Sequence, residues 1–204
     1  DASGTNYVQS DPIFMDSNKT AIAVWKTQYR LTMSTNFGTT SPSVGEHWYD
    51  VGSVVSISAT APTVVDGEQY VWLGWTGTGT ISYTGMNNPA SITMNSPISE
   101  TASGTHQFLL TIKTSGLPSA YPTKVYLAGS QVGIASDTSP YTKWFDAETP
   151  TGTIGVDNTI SGAAGTRYVF VKWVEDSSTN NPRASENMNS PKTFTAEYKT
   201  QYQI

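Results

Sequence analysis

Asp50 and Asp146 each follow an aromatic pair, Trp48-Tyr49 and Trp144-Phe145, and a carboxylate repeated in this way is the first candidate for chemistry, as an oxygen ligand for calcium. A calcium loop needs a run of alternating acidic ligands, and neither site has one, so both aspartates read as turn residues capping backbone amides at a strand start. The richest oxygen-bearing loop is Glu175-Asp176-Ser177-Ser178-Thr179-Asn180-Asn181. Its counterpart, Thr76-Gly77-Thr78-Gly79, has no carboxylate and reads as a connection between strands. Glu46 with Asp50, or Glu148 with Asp157, could serve as the paired carboxylates of a glycosidase. Glu46 has no counterpart in the second half, which speaks against catalysis. The two histidines, His47 and His106, supply neither a metal cluster nor an obvious triad, and the absence of cysteine removes thiolate sites, iron–sulfur clusters and disulfides. No catalytic residue, metal ligand or cofactor is expected.

Six tryptophans raise a different chemistry, stacking on the faces of sugars. Trp75 and Trp173 recur at one place in the pattern and read as core, whereas Trp25, Trp48, Trp72 and Trp144 are less constrained. Asn18-Lys19-Thr20 is the one sequon free of proline at its middle and following positions, so Asn18 is the expected glycan acceptor on an exported protein.

These residues sit in a chain of 204 residues with 13% charged side chains, about half the usual share, and with 24 serines and 30 threonines in their place. The net charge of -5 leaves no footprint for nucleic acid. No apolar run is long enough to span a bilayer as a helix. Apolar and polar residues alternate in Val54-Val55-Ser56-Ile57-Ser58-Ala59, in Leu109-Leu110-Thr111-Ile112-Lys113-Thr114 and in Lys192-Thr193-Phe194-Thr195-Ala196-Glu197-Tyr198, the period of a half-buried strand. Asp66-Gly67, Asn87-Asn88-Pro89, Ser115-Gly116 and Asn181-Pro182 punctuate them as turns. The expected fold is all-β.

Internal repetition organises these strands. Three segments align without gaps: MDSNKTAIAVWKTQYRL from Met15, MNSPISETASGTHQFLL from Met94, and MNSPKTFTAEYKTQYQI from Met188. Between them Trp48-Tyr49-Asp50 answers Trp144-Phe145-Asp146, and Tyr70 to Trp75 answers Tyr168 to Trp173, with Val55 aligned to Ile154. Tyr29 to Phe108 spans 79 positions and Phe108 to Tyr202 spans 94, and the excess around Lys124 to Val132 predicts an added hairpin. The division that follows is an N-terminal arm over 1–28 carrying an orphan closing strand, a first domain over 29–107, and a second over 108–204 with the hairpin and a C-terminal strand.

The opening strands Tyr29-Arg30-Leu31-Thr32 and Phe108-Leu109-Leu110-Thr111, the middle strands ending at Trp75 and Trp173, and the closing strands from Met15, Met94 and Met188 resemble the divergent internalin-type B repeats and related tandem repeats of bacterial and archaeal cell-surface proteins. The resemblance implies two tandem β-sandwich-like (Ig-like) domains behind an N-terminal extension strand, in an extracellular, cell-surface module without enzymatic activity. The first closing strand has no body before it, and the second body is lengthened.

An orphan strand with apolar residues cannot stay alone in water without unpaired backbone groups. Ile22, Val24 and Trp25 are therefore expected to add to a sheet edge near Tyr198, Tyr202 and Ile204 of a neighbouring chain, a head-to-tail contact that builds an open fibre. Residues 1–107 carry three basic against eight acidic side chains and residues 108–204 eight against eight, so head-to-tail stacking avoids opposing two acidic halves. The expected function is a subunit of a surface filament or surface layer with copies of itself as partners. The alternative is a carbohydrate-binding or adhesin stalk module that engages surface glycans.

Overall fold

The computed structural model describes residues 12, 14–20 and 22–203. The protein is all-β and built as tandem domains: among the described residues there are fourteen strands and no helix. They are β1 Gln28–Thr35, β2 Thr39–Ser41, β3 Gly45–Asp50, β4 Val54–Thr60, β5 Glu68–Thr78, β6 Ala90–Thr93 and β7 Ile98–Ser115, then β8 Thr123–Leu127, β9 Ser130–Ala135, β10 Tyr141–Asp146, β11 Ile154–Val156, β12 Thr159–Ser161, β13 Thr166–Trp173 and β14 Lys192–Tyr202. Alternation decides which face each strand buries. In β4, Val55 and Ile57 turn inward while Val54 and Ser56 face water, and in β14 Phe194, Ala196 and Tyr198 are the inward set.

The long strand β7 joins the two halves. Its first part pairs in parallel with β1 and its last part in parallel with β14, while β5 and β10 pair with it antiparallel. The position between 107 and 108, where the repeat changes over, thus lies inside one strand. Two separate cores result. Leu31, Met33, Val55, Ile57, Trp75, Ile92, Met94 and Ile98 form one, closed by the small sheet β2-β4-β6. Leu110, Ile112, Val125, Ile154, Trp173, Met188 and Phe194 form the other, closed by β11-β8-β9.

The repetition read in the sequence extends to hydrogen-bond register. Leu31 pairs with Ile98 as Leu110 pairs with Lys192, and Trp48 faces Arg30 as Trp144 faces Leu109. Trp75 lies opposite Ala102 and Trp173 opposite Ala196, each two residues beyond a bulge, at Trp72/Gly74 in one unit and Phe170/Lys172 in the other. A bulge re-aims the strand that carries it, so an identical bulge is needed to bring both indoles into equivalent cores. Both tryptophans are buried.

The lengthened stretch forms the hairpin β8–β9, turned through Ala128-Gly129, both with left-handed φ (50° and 81°), the two-residue geometry whose twist suits a tight hairpin. β8 pairs with β11 as β2 pairs with β4, so β9 is the strand without a counterpart. One alignment is corrected. Val55 pairs with Ile92, whereas the residue opposite Glu186, the counterpart of Ile92, is Thr151, whose N–H bonds the Glu186 carbonyl at 2.9 Å. Thr151 therefore holds the place of Val55, and Ile154 lies farther along. Hydrophobicity misleads here because the buried position is filled by a threonine whose hydroxyl bonds the Gly152 carbonyl and accepts the Glu186 N–H.

Candidate functional site

Each carboxylate considered for catalysis or calcium is engaged by a neighbouring group of the chain. Asp50 accepts Lys26 Nζ and Gln28 Nε2, both at 2.9 Å, and this pairing holds its carboxyl below the ordinary range, with the Lys26 hydrogen bond the largest influence and that of Gln28 next. Asp146 accepts Gln107 Nε2 at 2.8 Å. Both aspartates also open equivalent turns: the Ser53 N–H reaches the Asp50 carbonyl and the Thr149 N–H the Asp146 carbonyl, with left-handed Gly52 in one turn and Glu148 in the other. Glu46 pairs with Arg30 at 2.7 Å, and Glu148 accepts Asn187 Nδ2 at 2.7 Å. Asp157 accepts the Tyr126 hydroxyl and the Lys124 N–H. In the 175–181 loop, Glu175 accepts the Thr195 N–H, while Asp176 accepts the Ser178 N–H and a guanidinium N–H of Arg183. Among the described residues no group of three or more metal-ligating side chains comes together, and no helix is long and apolar enough to cross a membrane.

Two asparagines that the sequence marks only as turn punctuation prove to be structural clamps. Asn88 donates Nδ2 to the Ala59 carbonyl and accepts the Ala59 N–H; Asn181 does the same to Val156. Each closes its loop on a strand of the smaller sheet by imitating a strand neighbour. Both precede proline, and that dipeptide is the only local signal of the role.

The residues expected at an interface divide into two groups. Residues 14–20 and 22–27 belong to no strand, and Ile22, Val24 and Trp25 are 80%, 86% and 82% exposed. Asn18 is exposed on the same arm. At the other end, β14 pairs with β13 from Ala196 to Tyr202, while its ladder to β7 stops at Glu197. On that side Gly116 sits against the Tyr198 carbonyl, and the stretch from Lys199 to Gln203 has no strand beside it among the described residues. In the first unit the corresponding stretch, from Gln107 on, is covered by β10. Tyr202 is 75% exposed there. Tyr198 is a correction: its ring is 4% exposed, and its hydroxyl donates into Thr123 Oγ1 and the Asp157 carbonyl. Burial holds its proton far above the usual phenol range. Its inward parity on β14 makes it core, so any contact through it uses backbone alone. Ile204 lies outside the described residues.

No family model and no curated protein matches the chain. A solved structure of streptococcal high identity repeats in tandem (SHIRT) domains 3–4 from a cell surface protein is similar at 13% identity and a TM-score of 0.29, over 85% of this chain and 99% of that one.

The aromatics considered for sugar binding are scattered by the fold. Trp72 donates its indole N–H to the Met86 carbonyl and meets Trp75 edge-on at 5.7 Å. Trp144 is half-buried, and Trp48 is 61% exposed on β3. His47 bonds the Ser43 carbonyl through Nε2 at 2.6 Å, a contact that fixes the 41–45 turn.

Proposed function

We propose that this protein is a non-catalytic structural subunit of an extracellular, cell-surface assembly, in which two tandem β units, 29–107 and 108–204, act as a rigid spacer and the N-terminal arm of one copy adds to the terminal sheet of the next. The observation that carries this reading is the state of the arm. It repeats the sequence of two closing strands that lie inside sheets, yet its described residues 14–20 and 22–27 belong to no strand and Ile22, Val24 and Trp25 are exposed.

In the closing strands one face is buried, carrying Phe194, Ala196 and Tyr198 in β14 and Ile98, Glu100 and Ala102 in β7, and the other bears hydroxyls, Thr193 and Thr195 or Ser99 and Thr101. The arm is apolar on both: Ala23 and Trp25 share one parity, Ile22 and Val24 the other. A strand apolar on both faces is stable only when covered on both, and strand addition supplies main-chain hydrogen bonds besides. The stretch Lys199–Gln203 lies beyond the β7 ladder, on the side where β10 covers the corresponding stretch of the first unit. An arm at one end and an edge at the other is a heterologous pair, which propagates into a fibre when its rotation does not close. The acidic first unit and neutral second unit suit that order.

The test is sedimentation and electron microscopy of the full chain beside Val24→Asp and Trp25→Asp. The full chain is expected to form linear polymers and both variants to remain single chains with unchanged melting, because neither residue belongs to a core. Polymers formed equally by the variants would remove the arm from assembly, and a wild-type chain that stays monomeric at high concentration would remove the filament. Glycan binding by a monomeric chain would then favour the stalk or carbohydrate-binding reading.

A further inference from the structure

Glu100 lies on β7 at inward parity between Ile98 and Ala102 and is fully buried in the first core. Its position in the second unit is held by Phe194, six residues after Met188 as Glu100 is six after Met94. A carboxylate thus stands where the repeat accepts an aromatic ring. Its neighbours do not compensate it. β1 places Met33 opposite it, β5 places Gly77, and the loop over residues 79–86 brings the Tyr83 N–H to Oε1 at 2.6 Å. Oε2 is buried with no partner, and among the described residues no ion pair includes Glu100. The Tyr83 hydroxyl, the one titratable group on that loop, is turned away to accept the Asn87 N–H.

The loop rests directly on this carboxyl. A Cβ added to Gly77 would stand 2.5 Å from the Tyr83 carbonyl oxygen and 2.8 Å from Glu100 Oε1, so glycine at 77 is what lets loop, strand and carboxyl meet. Further bonds hold the loop at its two ends: the Gly77 N–H to Thr84 Oγ1 at 3.1 Å, the reciprocal Trp75–Gly85 pair at 2.8 and 3.1 Å, the Trp72 indole N–H to the Met86 carbonyl at 3.0 Å and the Ser96 hydroxyl to the Thr80 carbonyl at 2.9 Å.

We propose that Glu100 is a proton-operated latch: as the neutral acid it stays in the core and holds the 79–86 loop through the Tyr83 amide, and as the carboxylate it is driven toward water and the loop lifts with it. An ionised carboxylate in an apolar core without a cation is costly, and one N–H does not offset its lost hydration. Burial accordingly raises the Glu100 pKa above the ordinary carboxylate value, opposed only in part by the Tyr83 hydrogen bond. For an acid whose folded pKa is raised, the native state keeps a proton the unfolded chain has lost. The stabilisation is complete below the unfolded value and disappears as pH rises through the folded one. The device makes the first unit firmest in acid and loosens one loop toward neutrality, while Phe194 leaves the matching position in the second unit without a proton to lose.

The test is amide hydrogen exchange by NMR on the full chain and on Glu100→Gln, with protection factors measured from pH 4 to pH 8 and a carbon-detected titration of the Glu100 carboxyl. In the wild type the protection of the Tyr83 and Gly85 amides is expected to fall by about tenfold or more across the Glu100 titration, while that of Arg183 in the second unit holds. In Glu100→Gln it is expected to stay level. Equal pH dependence in both proteins, level protection in the wild type, or a Glu100 titration in the ordinary carboxylate range would each overturn the latch. The carboxyl titration reads the wild type alone, so the last outcome stands even where the variant folds poorly.

Discussion

Gln28 donates its side-chain amide to Asp50 across the β1–β3 ladder at 2.9 Å, and Gln107 repeats the bond to Asp146 across β7–β10 at 2.8 Å. The third member of the series, Gln201, accepts Arg167 Nε instead, at 2.8 Å, on the β13 side. The same glutamine therefore ties β1 to β3 and β7 to β10.

Asp50 predicts a pH response opposite in sign to that of Glu100. Its carboxyl is held low by Lys26 first and Gln28 second, so its contribution is present above the ordinary carboxylate pKa and is lost as pH falls through the lowered one. A carbon-detected titration is expected to place its midpoint below that of a free aspartate, and Lys26→Ala is expected to move the midpoint up. A midpoint unmoved by the substitution would show that Lys26 does not set the Asp50 titration.

The asparagine clamps predict stability losses of similar size in both units. Asn181→Ala leaves the N–H and C=O of Val156 without side-chain partners, and an abandoned buried polar group costs about 1–3 kcal/mol. Asn88→Ala should cost somewhat less, since its bonds to Ala59 are more exposed. Chemical denaturation of both variants checks this, and unchanged midpoints would mean that water replaces the clamps without loss.

The two core tryptophans predict a difference between equivalent sites. Trp173 donates its indole N–H to the Asn180 carbonyl at 3.0 Å, whereas the Trp75 N–H is buried without a partner. Truncation to alanine should cost about 3–5 kcal/mol at either site. Replacement by phenylalanine should be worse at 173 than at 75, by about 1–3 kcal/mol, because only there is a carbonyl left unpaired. Thermal melts of the two phenylalanine variants measure the difference, and equal losses would contradict the hydrogen-bond argument.

Much of this fold is legible in the sequence because its information is local and repeated. The Trp-aromatic-Asp triplets, the aromatic strands ending at Trp75 and Trp173 and the Met-led closing strands each recur, and each recurs in ladder register. The hairpin at Ala128-Gly129 is visible as surplus length. Contacts set by side chains across long separations are less legible. Nothing near Asn88 announces a bond to Ala59, and a threonine at 151 hides a buried site from any reading by hydrophobicity. The Tyr198 side chain is in the core, as its parity with Phe194 and Ala196 indicates. Glu100 was open to the same parity argument, on a strand whose alternate residues are Ile98 and Ala102.

The proposed assembly requires that the arm of one copy complete a sheet in another. Removing residues 1–26 tests it most directly, with chain length distributions followed by electron microscopy and a synthetic peptide of residues 15–27 added back. Single folded chains are expected from the truncated protein, and shortened polymers when the peptide competes with intact arms. Polymers of the truncated chain at the same concentration as the full chain would contradict that assembly.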